Sequence, residues 1–197
     1  MTKAPSIPSD EVLMAQLWVR FKADDEEAFN RLIEARYRLL FTYATRFTKD
    51  RDLIKDCVQD LFLELWNRRQ VIAETPYVTI YLIKALRNNL LRKLRRETLW
   101  RSTTEEGIET DIPITDGLTA ETEWIAEEML LNREQSLRQA VAQLPKRQQE
   151  VIFLKFYEGL SNDDIGQVMA VGKQTVANFL YRAMSQLRSC PPTHIFS

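Results

Sequence analysis

Asp56, Asp60 and Glu64 recur every four residues, which on a helix sets three carboxylates along one face. Such a ladder is half of the metal centre that a helical enzyme of nucleotide metabolism would use. The other half, a second acid cluster with metal-ligand spacing on a facing helix, is missing from the sequence. Cysteine and histidine offer even less. Cys57 and Cys190 stand outside any C-x-x-C, and the one histidine, His194, lies in the terminal SCPPTHIFS. With 5 Gly in the chain there is little from which to build a phosphate-cradling loop. The expectation is therefore a protein without catalytic residues, metal or cofactor. Its informative side chains are those of recognition, and they fall in three clusters.

The first cluster is basic. Lys84, Arg87, Arg92, Lys93, Arg95, Arg96 and Arg101 are set against Glu97 alone, whereas the whole chain has a net charge of -1. Lys84, Asn88, Arg92 and Arg95 share a helical face with Arg96 close by, which suits a nucleic-acid backbone plus one base contact. The plainer alternative is a charged, solvated helix. The second cluster is polar: Gln174, Asn178, Tyr181 and Ser185 with Arg182 beside them and Lys173 at the start. It lies opposite an apolar stripe of Val176, Leu180, Ala183 and Leu187. Asn and Gln pair with adenine in a major groove, and Arg pairs with guanine or phosphate. A plain helical hairpin with a solvated face fits that geometry equally well. Phe179, at the edge of the stripe, reads as packing. In the third cluster Ile54, Val58, Leu61 and Leu65 form a buried stripe with Cys57 at its edge. Asp56, Gln59, Asp60 and Leu63 then face outward, with Phe62 and Trp66 on one flank. An outward leucine among aromatics and acids suits docking of a partner, unless neighbouring helices cover Phe62 and Trp66.

Helical periodicity supplies the elements that hold these clusters. Helices are predicted near Asp10–Lys22, Asp24–Thr48, Asp50–Arg69 and Pro76–Leu99, with Pro76 in a first turn and a loop over Gln70–Thr75. Residues from Ser102 to about Ala120 carry Gly107, Pro113, Gly117 and many acids without an apolar stripe, and read as a linker. Between Arg101 and Arg133 there is no Lys or Arg, against nine acids from Glu105 to Glu128. Helices resume near Glu121–Gln143, Lys146–Glu158, Ser161–Met169 and Lys173–Arg188. Gly159 closes the second of these, Ser161 caps the third with Asp164, and Ala170-Val171-Gly172 is the tight turn before the last. The fold class expected is all-α: two small helical domains joined by an acidic flexible linker. The boundaries are an N-terminal extension at 1–23, a first domain at 24–101, the linker at 102–125, a second domain at 126–190 and a tail at 191–197. No apolar run approaches the roughly 20 residues of a membrane span. MTKAPSIPSDE lacks the apolar core of a signal peptide, so the cytosol is the expected compartment.

The segment LPKRQQEVIFLKFYEGLSNDDIGQVMAVGKQTVANFLYRAMSQLR resembles region 4 of sigma-70 family sigma factors. Thr175, Val176, Arg182, Ala183, Leu187 and Arg188 match its closing helix. Asp56 to Trp66, with its acid, Gln-acid, Phe and terminal Trp, resembles region 2.2. Arg87-Asn88 and Leu94-Arg95-Arg96 resemble regions 2.3 and 2.4. The order of these motifs, without the extra regions of primary sigma factors, resembles the extracytoplasmic-function group. The resemblance implies that Asp56, Gln59, Asp60, Phe62, Leu63 and Trp66 meet the β′ clamp helices of RNA polymerase. It implies minus-10 recognition and capture of a flipped base by Lys84, Arg87, Asn88, Arg92, Arg95 and Arg96, with Glu74, Thr75 and Tyr77 in the adjoining loop. It assigns minus-35 recognition to Lys173, Gln174, Thr175, Asn178, Tyr181 and Arg182, and a contact with the β flap to the same domain. Ala177 and Phe179 depart from the basic residues many relatives carry there. An anti-sigma factor is a further partner the resemblance admits, and the acidic linker would enter polymerase channels that otherwise hold nucleic acid. The competing reading is a conventional regulator that dimerises through the Leu63/Trp66 face and binds duplex DNA without polymerase.

Overall fold

The computed structural model describes residues 9–101 and 140–189, which form helices and short connections with no strand among them. The chain divides into two compact units, Met1–Pro113 and Ile114–Ser197. The expected acidic linker lies outside the described residues, as does most of the expected Glu121–Gln143 helix, of which residues 140–142 are seen as helical.

The first unit contains α1 (Ser9–Lys22), α2 (Glu26–Ala44), α3 (Arg51–Arg68) and α4 (Val78–Arg101). Acidic caps set two of the starts. Asp25 is extended and accepts the Ala28 N–H at 2.9 Å. Asp50 accepts the Asp52 and Leu53 N–H groups, both at 3.0 Å. Each places a negative charge at the positive end of a helix and occupies donors that have no partner within it. That bond from Ala28, followed by one from Arg20, holds the Asp25 carboxyl below its ordinary range. Asp24 adopts φ 67°, the left-handed region that Asp tolerates better than most residues, and so turns the chain from α1 into α2.

The core of this unit draws on all four helices. Trp18 and Phe21 from α1, Leu32, Leu40 and Tyr43 from α2, Ile54 and Val58 from α3, and Leu82, Ile83, Leu86 and Leu90 from α4 are each fully buried. The expected α3 stripe is inside along its whole length, and Cys57 is buried beside it as a small filler. At roughly 1.5–3 kcal/mol for each large apolar side chain removed from water, α1 is an integral layer of the bundle. The sequence boundary at residue 23 therefore falls inside one packed body. Pro76 also stands differently from expectation: α4 begins at Val78, and one of its opening N–H groups is met from another helix. Glu11 of α1 accepts the Thr79 N–H at 2.8 Å.

The second unit contains α5 (Lys146–Phe156), α6 (Asn162–Met169) and α7 (Lys173–Ser189). Ser161 and Asp164 form the expected reciprocal capping box at the start of α6. Gly159 takes the expected left-handed φ of 65° after α5. The α6–α7 turn falls at Ala170-Val171-Gly172, as expected, between Met169 and Lys173. Ala170, with φ 55°, makes the left-handed step there. Gly166 is the glycine that the turn requires, since a Cβ on it would lie 2.8 Å from the Val171 carbonyl oxygen, while one on Gly172 would meet nothing within 4 Å. Val176 and Ala183 are fully buried, and Leu180, Met184 and Leu187 pack on a small core of Leu144, Ile152 and Ala183. The polar face of α7 is thereby turned outward.

Candidate functional site

Three surfaces carry the candidate residues, two on the first unit and one on the second. On α3, Asp56, Gln59, Asp60 and Leu63 are exposed, Leu63 at 54%. Phe62 turns inward at 6% exposure and meets Phe29 of α2 edge-on, with ring centroids 6.2 Å apart. Trp66 is half-buried, 5.0 Å from Phe29, and the Arg69 guanidinium lies over it at 4.3 Å. Of the six expected contact residues, Phe62 is thus the most buried, and only a small part of it reaches the surface. The helix that covers it also extends the surface. An open apolar groove of about 610 Å³ runs between α2 and α3, with Ile33 and Tyr37 on its α2 side and Leu63 and Trp66 on its α3 side. Sequence reading passed over Ile33 and Tyr37. Their i, i+4 spacing beside the buried Leu32 and Arg36 was the available signal.

The acids of this face are partly spoken for. Lys93 of α4 donates to Asp60 at 2.6 Å, and that bond raises the Lys93 pKa above its ordinary value. Arg68 donates to Glu64 at 3.0 Å, one turn away. Lys93 therefore neutralises an acid of the α3 face and is withdrawn from the basic cluster of α4.

On α4, Arg87, Asn88, Arg92, Arg95 and Arg96 line one hollow of about 430 Å³ together with Leu91. Arg92 donates to Asn89 at 2.9 Å, which steadies its guanidinium along the helix. Lys84 is exposed one turn earlier and does not line the hollow. Glu74, Thr75 and Tyr77 precede the helix. Glu74 and Tyr77 are exposed, and the half-buried Thr75 hydroxyl accepts the Tyr77 N–H at 3.1 Å. At 1.5 Å per residue, Tyr77 and Asn88 stand roughly 16 Å apart along the axis. The expected minus-10 residues thus form a track along α4 with its loop at one end. Val71, 75% exposed, adds an apolar side chain to that loop which the sequence reading did not single out.

On α7, Lys173, Gln174, Asn178, Tyr181 and Arg182 are exposed and Thr175 is half-buried. Tyr181 reaches 77% exposure. Lys173 is held by Asp163 of α6 at 2.6 Å, and Gln174 donates to Asn178 at 3.3 Å. Phe179 is half-buried, in keeping with packing. The outer face is thus a row of hydrogen-bonding groups on a helix backed by a firm core, as in a helix-turn-helix. Phe156 and Tyr157, 61% and 72% exposed at the end of α5, are a second surface the sequence reading missed.

Family comparison matches residues 32–99 to "Sigma-70 region 2" and residues 134–187 to "Sigma-70, region 4", together more than half of the chain. The chain is 27% identical over 174 residues to RNA polymerase sigma-H factor of Pseudomonas aeruginosa, covering 85% of this chain and 88% of that one. It is 26% identical over 157 residues to ECF RNA polymerase sigma factor SigL of Mycobacterium tuberculosis, covering 80% and 85%. In fold it resembles the sigma factor RpoE crystallised with the anti-sigma factor NepR from Bartonella quintana. The TM-score is 0.62 at 18% identity, over 81% of this chain and 94% of that one. It also resembles CnrH in complex with the cytosolic domain of CnrY, with a TM-score of 0.60 at 17% identity over 92% and 99%.

Proposed function

The chain belongs to the sigma-70 family of RNA polymerase sigma factors, in its extracytoplasmic-function group, and from that membership we propose how its two units divide the work. It binds core polymerase and directs it to promoters. Region 2 and region 4 segments, matched in this order within one chain, are the observation that carries the function.

The α3 face, with Asp56, Gln59, Asp60, Leu63 and Trp66, docks the β′ clamp helices, and Phe62 supports it from beneath. The basic track of α4 holds the displaced strand of the minus-10 element, and the loop with Glu74, Thr75 and Tyr77 captures an unstacked base. Extruding a base costs a few kcal/mol of stacking, so the loop must return that in contacts. The outer face of α7 reads the minus-35 element through Lys173, Gln174, Thr175, Asn178, Tyr181 and Arg182, while its domain touches the β flap. Domains at 24–101 and 126–190, with α1 joined to the first, are linked by the acidic segment, and linking two weak readers raises the effective concentration of the second. The polymerase supplies catalysis, and this chain acts by binding alone, in the cytoplasm. Among the described residues no helix is long and apolar enough to cross a membrane. Because RpoE and CnrH were each solved with a partner, an anti-sigma factor covering the same surfaces is part of this reading.

Run-off transcription tests it. The chain and bacterial core polymerase are mixed with a fragmented genomic library. Discrete starts that require the chain, and that weaken in Asp60→Ala/Trp66→Ala, are expected. A chain that yields no starts yet shifts duplex DNA as a dimer without polymerase is a conventional regulator instead.

A further inference from the structure

The connection between α3 and α4 is tied at several points to α1 and to the turn that follows it. Asp24, in the turn that follows α1, takes hydrogen bonds from both Arg69 and Gln70, the latter at 2.8 Å. Trp18 donates its indole N–H to the Ala73 carbonyl at 3.2 Å. Lys22 lies 4.0 Å from Glu74. Glu11 accepts the Thr79 N–H at 2.8 Å and its hydroxyl at 2.6 Å, capping α4 from across the bundle. A buried guanidinium secures that cap. Arg36, its side chain 6% exposed, donates to Thr79 Oγ1 at 2.8 Å and to Asp10 at 2.5 Å. A buried charge is tolerated only when paired in this way, and each partner is thereby fixed. Within the connection, the Val71 and Ile72 N–H groups donate to the Arg68 carbonyl and the Tyr77 N–H to the Thr75 hydroxyl, whereas Val71, Ala73, Glu74, Pro76 and Tyr77 are exposed, and Ile72 alone of 70–77 is buried.

We propose that α1 is a splint for strand capture, in which Asp24, Trp18 and Glu11 are positioning residues that hold the 69–79 connection in the one shape that presents Glu74, Thr75 and Tyr77 to the unstacked base. This rests on the capture role given above to that loop. A loop already ordered gives up little conformational entropy when the base arrives, whereas a free one must be ordered at that moment.

The test uses the full chain assembled with core polymerase, on a promoter mapped by run-off transcription and carrying each base in turn at the captured position. Asp24→Asn keeps a residue that accepts the left-handed turn and removes the charge. Trp18→Phe keeps a buried ring and removes the N–H. Strand opening is followed by permanganate reactivity, and core affinity by anisotropy of the labelled chain. The expected result is a loss of about tenfold in base preference at that position in each variant, since small misplacements of a recognition group are costly, with core affinity within about twofold of the parent. Glu74→Ala/Tyr77→Ala should lose the same preference. If that loop variant loses preference while Asp24→Asn and Trp18→Phe retain it, α1 is not a splint. A fall in core affinity in step with opening would also overturn the proposal, because it marks a loosening of the whole unit. If the loop variant itself keeps full preference, the loop is not the capture site, and the role of α1 fails with it.

Discussion

Neighbouring side chains on α3 do opposite things. Phe62 is buried against Phe29, and Leu63, one residue on, stands in solvent. Phe62→Ala removes a ring from a packed site and is expected to cost about 3–5 kcal/mol of stability in urea unfolding. Leu63→Ala is expected to change stability by no more than about 0.5 kcal/mol and to weaken binding to core polymerase. A Leu63→Ala chain that binds core as tightly as its parent would remove that residue from the docking face. Asp25 gives a pH-dependent counterpart. Its carboxyl is held below the ordinary value of 3.8 chiefly by the Ala28 N–H. A depressed acid contributes stability above its unfolded pKa, and that contribution is lost as pH falls through the folded value. Asp25→Ala should therefore melt lower than the parent at neutral pH, with the gap closing in acid below about pH 4. A constant gap from pH 7 to pH 3 would show that the cap acts without its charge.

Among the helices, local chemistry was legible in the sequence and long-range chemistry was not. The Ser161–Asp164 box lies within four residues, and an eye on spacing alone finds it. The apolar stripe of α3 likewise emerges from its own period, because the pattern of burial follows the helix repeat. The cap on α4 escapes such reading: Glu11 and Thr79 are 68 residues apart, and Pro76 was the nearer signal. The inward turn of Phe62 was one of two readings the sequence left open, and Phe29 of another helix decides it. The α6–α7 turn adds a third lesson, since two glycines six residues apart read alike in a sequence and only the close approach of the Val171 carbonyl separates them. Gly166→Ala is accordingly expected to destabilise the second unit by roughly 1–3 kcal/mol, the usual cost of overpacking, and to reduce transcription most at promoters that depend on their minus-35 element. Gly172→Ala, with open space around its Cβ, should melt with the parent. If both variants melt alike, the turn relaxes more freely than the contact implies.

For the molecule as a whole, charge decides when it binds DNA. The chain has a net charge of -1 although Lys84 to Arg101 carries seven cations against Glu97, so the remainder is net acidic and repels a phosphate backbone. One of those seven, Lys93, is also engaged by Asp60. Free chain is therefore expected to shift promoter duplex only at low salt, and the assembled holoenzyme, with the proposed α4 track on the displaced strand, is expected to bind at physiological salt. Each phosphate contact to that strand releases about 0.7 of a condensed counterion. Removing two of them with Arg95→Ala/Arg96→Ala should lower the slope of log affinity against log salt by about 1.4, while sequence preference at the minus-35 element stays as it was. The measurement is open-complex affinity of holoenzyme at four or five salt concentrations. An unchanged slope would place those arginines away from the strand. A changed slope accompanied by lost minus-35 preference would mean that the two readers do not act separately. The proposed division of labour predicts the first effect without the second, because α4 and α7 belong to different compact units with different cores.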